Sequence, residues 1–528
     1  MSWIVLGEEN GRVRLVSKRG TSGLLPKGSF LTVESKDAQF VLRVDESVQA
    51  EIYRPSILAA DMDLTPLQED RECRNVAHAY RVHDVSKRSD GLIDFIPPQT
   101  PARRSTQEEI DAAIGSSKDG PPVFVATIQA SRNQLLRDDT GVPVTARLPR
   151  DFYFYQSLIC GKTGSGKTVA SKYLAQHFVE SVGGAVLAVN VKDVDLLTMD
   201  QVSRTDSDAL LEEWKSLNAE AHGVGGFTVY SPPMITIDPA QGVNPDACAT
   251  ITLDVDQIDP EALTGVMPAI TDIGAQSLPG VFRYWKEQAD RRKKGEHRSF
   301  SQFVDYYSRI EADDRLANVM NSKGDVSQIT LHKGTFDSVL RALTYATEFF
   351  DNPGSKALTW EDILQRGKLS VINVAGPKGI TFGSIFLRDI LHNIVEAKRL
   401  QRTSVPFLVI IDEVHQFYAS DSSREALGDL DTICRTGRSS EIGIIFSTQS
   451  PSDIPSGLSN VINTRIFFKS DSSAPKQLGL QVTAEELEGL RAGYAIASIH
   501  DMSLLKVVKF PMAFAGVNTP RSAQARGS

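Results

Sequence analysis

Gly161-Lys-Thr-Gly-Ser-Gly-Lys-Thr168 confines this chain to a narrow set of folds. A glycine loop of this spacing works when a buried strand enters it and a helix leaves it, because its backbone N–H groups must converge on phosphate oxygens. Both flanks have that character. Phe152 to Cys160 is an apolar, aromatic run that predicts a buried strand, and Val169, Ala170, Tyr173, Leu174 and Phe178 recur at helical spacing over 167–180. Gly161, Gly164 and Gly166, with Ser165 between them, let the backbone wrap the phosphates of ATP. Lys167 is placed to reach the β- and γ-phosphates, and the Thr168 hydroxyl to sit on Mg²⁺.

A second segment completes the chemistry. Phe407-Leu-Val-Ile-Ile-Asp-Glu-Val-His415 reads as a strand buried on both faces with two carboxylates at its tip. Asp412 fits the residue that holds the metal shell, and Glu413 the one that polarises the attacking water. The pair predicts a nucleotide triphosphatase.

Composition sets outer bounds. The 528 residues suffice for about three domains of ordinary size. No apolar stretch approaches the ~20 residues of a membrane span, and the first residues lack the regions of a signal peptide. Cys73, Cys160, Cys248 and Cys434 are scattered without metal spacing, so a cytoplasmic protein with reduced thiols is expected. A net charge of −9 argues against indiscriminate nucleic-acid binding by the whole surface, yet leaves room for a basic channel.

The expected fold is α/β: a RecA-like P-loop ATPase core with a parallel sheet, a small N-terminal β-barrel and an inserted helical subdomain. Short alternating runs at Trp3-Ile-Val-Leu, Val13-Arg-Leu-Val, Phe30-Leu-Thr-Val and Phe40-Val-Leu-Arg-Val predict the barrel, assigned to residues 1–145. Within it, 84–121 is rich in proline, serine and charge and reads as a mobile polar insertion, after which Val123-Phe-Val-Ala-Thr-Ile-Gln returns as a last barrel strand. The ATPase core is expected over 146–515. Its strands fall at 154–160, 185–191, 369–374, 407–411, 442–447 and 464–468, with a helix over 381–400 and a closing hairpin from Gly493 and Leu504. The interval from Lys167 to Asp412 exceeds what a minimal core needs, which places a helical insertion near 205–350. Residues 516–528 read as a flexible tail.

Between the last strands lies Cys434-Arg-Thr-Gly-Arg-Ser-Ser-Glu-Ile-Gly-Ile-Ile-Phe-Ser-Thr-Gln-Ser-Pro. Gln449 ends a buried strand, where its amide can sense a γ-phosphate beside Glu413. Arg438 is either a solvated loop residue or an arginine delivered to a neighbouring subunit's phosphate. These segments, with Asn463-Thr-Arg-Ile-Phe-Phe-Lys and the small barrel, resemble the HerA branch of the HerA/FtsK ATPase superfamily, over about 1–60 and 122–515. The resemblance implies a homohexameric DNA translocase or helicase that often acts with a nuclease, in DNA end processing or anti-phage defence. A nuclease or an NAD-cleaving effector is the implied partner, and no membrane is. Carried over by position, Lys167 and Thr168 bind nucleotide and magnesium, Asp412 and Glu413 are metal-associated and catalytic, Gln449 is the sensor and Arg438 the trans-acting arginine. Arg465 is a further candidate for an intersubunit contact.

The chain departs from the family after its second strand. An acidic residue is usual there, whereas this segment is Asn190-Val-Lys-Asp193-Val-Asp195, so either Asp193 substitutes or the contact is lost. DNA contact is least visible: Arg291-Arg-Lys-Lys-Gly-Glu-His-Arg298 is the densest basic run and fits a channel loop or a solvated turn. His415 reads as a positioning residue and Lys162 as surface charge. Two other classes fit the same motifs, a secretion or conjugation ATPase and a ring scaffold for an effector enzyme.

Overall fold

The computed structural model describes residues 3–519 apart from 18–23, 36–37, 51–73, 87–91, 93, 130–131, 193, 238–240, 267–276, 293–297, 311–313, 419–426 and 471–482. Strands β1 (Trp3–Glu9), β2 (Arg12–Ser17), β3 (Phe30–Glu34), β4 (Ala38–Ala50), β5 (Arg74–Ser86) and β6 (Pro101–Arg104) close an antiparallel barrel in the order β1-β2-β5-β4-β3-β6. Alternate residues such as Val5, Val13, Leu15, Leu31, Phe40 and Leu42 fill it and are fully buried. Closure leaves no unpaired barrel edge among these strands.

The 84–121 segment is a correction to the sequence reading. It supplies β6, which bridges β1 and β3, and then α1 (Gln107–Ile114). Thr106 caps α1 and Glu109 completes the capping box. The Glu109 carboxylate also binds Arg103 at 2.6 Å and accepts bonds from Thr32 and Gln39 on β3 and β4. Over 101–114, polar composition is the chemistry of a tied-down connection.

The chain next forms β7 (Pro122–Gln129), β8 (Arg132–Leu135), β9 (Thr145–Arg147), β10 (Ser157–Cys160), α2 (Lys167–His177) and β11 (Ala185–Asn190). A long excursion follows, with β12 (Arg204–Thr205), α3 (Asp208–Ser216), β13 (Phe227–Ser231), β14 (Cys248–Thr252), α4 (Leu278–Arg292), α5 (Phe300–Arg309), the hairpin β15 (Leu316–Met320) and β16 (Val326–Thr330), α6 (Lys333–Ala346) and β17 (Lys356–Ala357). The chain returns through β18 (Leu369–Asn373), α7 (Gly376–Arg399), β19 (Phe407–Asp412), α8 (Asp429–Thr436), β20 (Ile442–Thr448), β21 (Thr464–Phe467), β22 (Tyr494–Ser498), β23 (Val507–Lys509) and β24 (Asn518–Thr519).

A 14-stranded sheet runs β17-β14-β13-β18-β11-β19-β20-β10-β21-β22-β23-β7-β8, with β9 on β7. It is parallel from β17 to β21 and antiparallel beyond. Both faces of its centre are covered. Leu187, Val189, Val409 and Ile411 join one apolar cluster with α7, while Val186, Ala188, Leu408 and Ile410 join the other with α2. Each such buried Val, Leu or Ile side chain contributes about 1.5–3 kcal/mol, an upper figure because unfolded chains already bury some surface.

Several expectations shift. Phe152–Phe154 belong to a tight turn that starts after Pro149, because the Tyr153 hydroxyl bonds the Leu174 carbonyl and its ring packs on Phe178, so the strand begins only at Ser157. The α2 helix ends at His177 and widens into a π turn that stops at Gly183. β7 pairs with β23 of the large sheet and not with the barrel, which contradicts a barrel over all of 1–145. The excursion over 205–350 is not purely helical: β13 and β14 extend the main sheet. Asn518–Thr519, assigned to the tail, pair with Arg204–Thr205.

Glu109 yields the first prediction. Burial alone would raise its carboxyl, but Arg103, the Thr106 N–H and Thr32 outweigh it and bring the group from 4.5 down to about 2. A lowered folded value stabilises above the unfolded one and is lost as pH falls through the folded one. Glu109→Ala should cost about 1–2 kcal/mol at pH 7, the lower range for charge-assisted bonds because the site is partly open. Urea unfolding should show that gap shrinking as pH falls from 4.5 toward about 2.

Candidate nucleotide site

Parallel register brings the carboxyl ends of four strands to one edge. Cys160 lies opposite Thr448, Asp412 opposite Ser447, and Val189 opposite Ile411. The loops that leave β10, β20, β19 and β11 therefore converge on a cavity of about 450 Å³. Its lining includes Gly164, Gly166, Lys167, Thr168, Asp412, Glu413 and Gln449.

The loop geometry explains its glycines. Gly164 and Gly166 have φ of 76° and 109°, where side chains are strained. A Cβ on Gly166 would also lie 2.8 Å from the Gly493 nitrogen, which donates to the Ser165 carbonyl at 3.0 Å. Gly161 and Ser165 stand behind the cavity wall: the Gly161 carbonyl accepts the Lys167 ammonium at 2.5 Å, and Ser165 is buried. Burial lowers the Lys167 ammonium's pKa, opposed by the nearby Asp412 and Glu413. Its charge thus waits on the loop's own carbonyl at the cavity wall.

The two acids are held differently. Burial pushes the Asp412 carboxyl up to about 6, despite a bond from Ser447, with Glu413 adding like-charge repulsion. Glu413 is lowered: burial would raise it, but Lys192 and Gln449 outweigh that. Lys192 Nζ lies 2.5 Å and Gln449 Nε2 2.7 Å from the same oxygen, Oε1. Thr448 Oγ1 is 3.4 Å from Oε2, and His415 Nδ1 3.8 Å. Glu413 also adopts φ 50°, the left-handed region. That conformation costs roughly 1–2 kcal/mol for a side-chain residue and accompanies a carboxylate that lines the cavity while staying buried.

Asp412, Glu413, Gln449, Lys167 and Thr168 thus meet in one place. Arg438 does not join them. It sits in the turn before β20, at the amino edge of the sheet, with Nη2 3.1 Å from Asp151 and its guanidinium 4.5 Å over Tyr155. The seven residues of β20 separate that edge from the cavity, about 23 Å at the usual strand rise. Arg465 lies inside β21, opposite Leu158 and Ser498. In the basic run, Arg298 pairs with Asp256 at 2.7 Å, and 293–297 lie outside the described residues, as does Asp193. Lys162, read as surface charge, lines the cavity.

Sequence reasoning missed Lys192 and the C-terminal strap. Phe510, Met512, Val517 and Thr519 line the cavity with Leu210 of α3. The strap is tied down by the Lys172 ammonium on the Gly516 carbonyl at 2.5 Å and by the Trp214 indole on the Met512 carbonyl at 2.9 Å. Lys509, buried beside it, pairs with Glu213. The polar end of the cavity suits phosphates, and this apolar wall suits a purine face.

Fold and site together define a P-loop ATPase. Residues 134–393 match the family described as "Helicase HerA, central domain", so the central part of the chain is HerA-like. Two proteins named DNA double-strand break repair helicase HerA are similar. The one from Sulfurisphaera tokodaii is 26% identical over 39% of this chain and 45% of its own length. The one from Saccharolobus solfataricus is 25% identical over 29% and 34%. The matches span less than half of those relatives. Among solved structures, the bacterial conjugative coupling protein TrwB has a TM-score of 0.45 at 14% identity, covering 78% of this chain and 98% of that one. VirB4 of Thermoanaerobacter pseudethanolicus scores 0.44 at 11%, covering 75% and 97%. No helix among the described residues is long and apolar enough to cross a membrane.

Gly166→Ala tests the loop. The strained φ and the contact with Gly493 should weaken ATP binding at least tenfold while circular dichroism stays unchanged. Calorimetric titration reads the loss.

Proposed function

We propose that this chain is the ATP-driven motor subunit of a ring, most simply a homohexamer, that translocates DNA independently of sequence. The observation that carries it is the convergence of the P-loop, the Asp412–Glu413 pair and Gln449 on one cavity, within a HerA-type central domain. Lys167 leaves the Gly161 carbonyl to bind β- and γ-phosphate oxygens, and loop N–H groups take the remainder. The Thr168 hydroxyl and the Asp412 carboxylate are hard oxygen donors on the cavity wall and fit Mg²⁺. When bound, that ion neutralises charge between the β- and γ-phosphates. Glu413 orients and deprotonates the attacking water, and Gln449 holds Glu413 in place. Arg438, remote from its own cavity, serves the next subunit. A nuclease or an NAD-cleaving enzyme, in DNA end processing or anti-phage defence, is the partner class that suits such a motor.

Two experiments test this reading. Lys167→Ala should abolish ATP binding, whereas Glu413→Gln should bind at least as tightly as wild type and cut turnover by about 10²–10⁴. Duplex or single-stranded DNA should stimulate wild-type hydrolysis, with an effect that fades steeply as salt rises because phosphate contacts release counterions. Absence of stimulation at every salt concentration would turn the reading to an ATP-dependent scaffold.

The ring has its own test. Arg438→Ala should bind nucleotide normally and not hydrolyse it, and mixing it with Glu413→Gln subunits should restore part of the activity at mixed junctions. A fully active monomer, weighed by mass photometry beside its ATPase rate, contradicts the ring.

A further inference from the structure

Lys192 has no part in the mechanism above, yet it makes one of the shortest polar contacts in the site. Glu413 Oε1 receives both Lys192 Nζ at 2.5 Å and Gln449 Nε2 at 2.7 Å. A carboxylate oxygen has two in-plane lone pairs, so two such donors leave it no direction in which to take a proton from water. The other oxygen faces Thr448 and His415. Water can reach Oε1 only if one of its two donors leaves.

Of the two partners, the lysine is the one that can leave. The Lys192 side chain is 43% exposed, whereas that of Glu413 is 3% exposed. The Glu413 backbone is fixed as well, its N–H donating to the Ser447 carbonyl at 2.7 Å. Lys192 and Glu413 line the same cavity as Lys167 and Thr168. A terminal phosphate brought there carries more negative charge than one carboxylate, and an ammonium is a compact, rotatable charge that can follow it. The more highly charged phosphate draws the ammonium away from the carboxylate.

We propose that Lys192 is a nucleotide-gated clamp: its ammonium passes from Glu413 to the terminal phosphate of a bound triphosphate, and the base is released for water only then. Lys192 is thus a positioning residue toward Glu413 and a reader of the third phosphate. The inference rests on the ATPase reading and extends it. Hydrolysis is confined to sites holding a complete triphosphate, and loss of the terminal phosphate restores the pair.

Equilibrium binding on the full chain tests the exchange without using turnover. Affinities for ADP and for a non-hydrolysable ATP analogue, each with Mg²⁺, are measured for wild type, Lys192→Met, Glu413→Gln and the double variant. Lys192→Met should weaken the analogue about tenfold and leave ADP unchanged, which also reports an intact fold, while Lys192→Arg should retain the preference. Glu413→Gln frees the lysine and should tighten the analogue about tenfold without touching ADP. In the Lys192→Met background that gain should vanish. Additive effects, or equal losses for ADP and the analogue, would overturn the clamp. If those appear while Glu413→Gln still abolishes turnover, the clamp alone falls and the ATPase reading stands. No nucleotide binding by the wild type would remove both.

Discussion

Phe407 to Ile411 are almost wholly shut off from solvent and hydrogen-bonded on both sides, to β11 and to β20. A strand so placed cannot slip by one residue, because the shift would exchange its two apolar faces and misalign both ladders. That rigidity is transmitted to its last residue and the one beyond. Asp412 and Glu413 emerge at a fixed height beside the ends of β10 and β20, and Glu413 then pays for its left-handed backbone with the stability of the strand beneath it. The P-loop, the acids, Lys192 and Gln449 come from four chain segments, yet their distances follow from one set of parallel pairings.

What was legible in the sequence follows from the same physics. The runs at 185–191, 369–374, 407–411 and 442–447 are continuous and apolar because they are buried on two faces, and each appears as a strand within a residue or two of its expected ends. β5 went unread because its inward positions include Ala77 and Ala79, which give little hydrophobic contrast. β6 was hidden by polar residues whose function is to bind one another: Arg103 and Glu109 are an ion pair, and only the fold shows that they meet. Lys192 was passed over for a related reason. An acid is the residue type expected after β11, whereas it is Lys192, one of the two residues between Asn190 and Asp193, that reaches Glu413, far along the sequence. Spacing reveals partners on one helix or strand, not pairs made by strands adjacent only in the sheet.

The C-terminal strap shows how late sequence completes an early site. Gly516 closely overlies the Thr198 carbonyl, and its own N–H donates to the Gln201 carbonyl at 2.8 Å. Residues 512–517 are thereby bound to the segment after β11, and Met512 and Val517 form cavity wall. Lys509 and Glu213, both less than a tenth exposed, fix α3 against β23 beneath that wall. Breaking such a pair strands a charge in an apolar setting, so it favours one relative placement of the two segments.

Arg438 follows a different logic from the residues gathered at the carboxyl edge. Asp151 and the Tyr155 ring hold it at the amino edge, and the Arg150–Glu441 pair at 3.0 Å ties the same two segments together. It stands a whole strand length from the cavity of its own subunit. Any contact between Arg438 and a nucleotide phosphate therefore has to be made with another copy of the chain, across an interface that joins the amino edge of one sheet to the carboxyl edge of the next. An interface between two different surfaces of the same subunit does not close on itself in a dimer; it propagates and closes only as a ring. The proposed trans role of Arg438 and the proposed ring are thus a single geometric claim. Lys192 divides the labour with it. In the proposed scheme, charge from Lys192 reports within a subunit whether a third phosphate is present, and charge from Arg438 reports between subunits whether a neighbour is in place. Hydrolysis in this arrangement requires both.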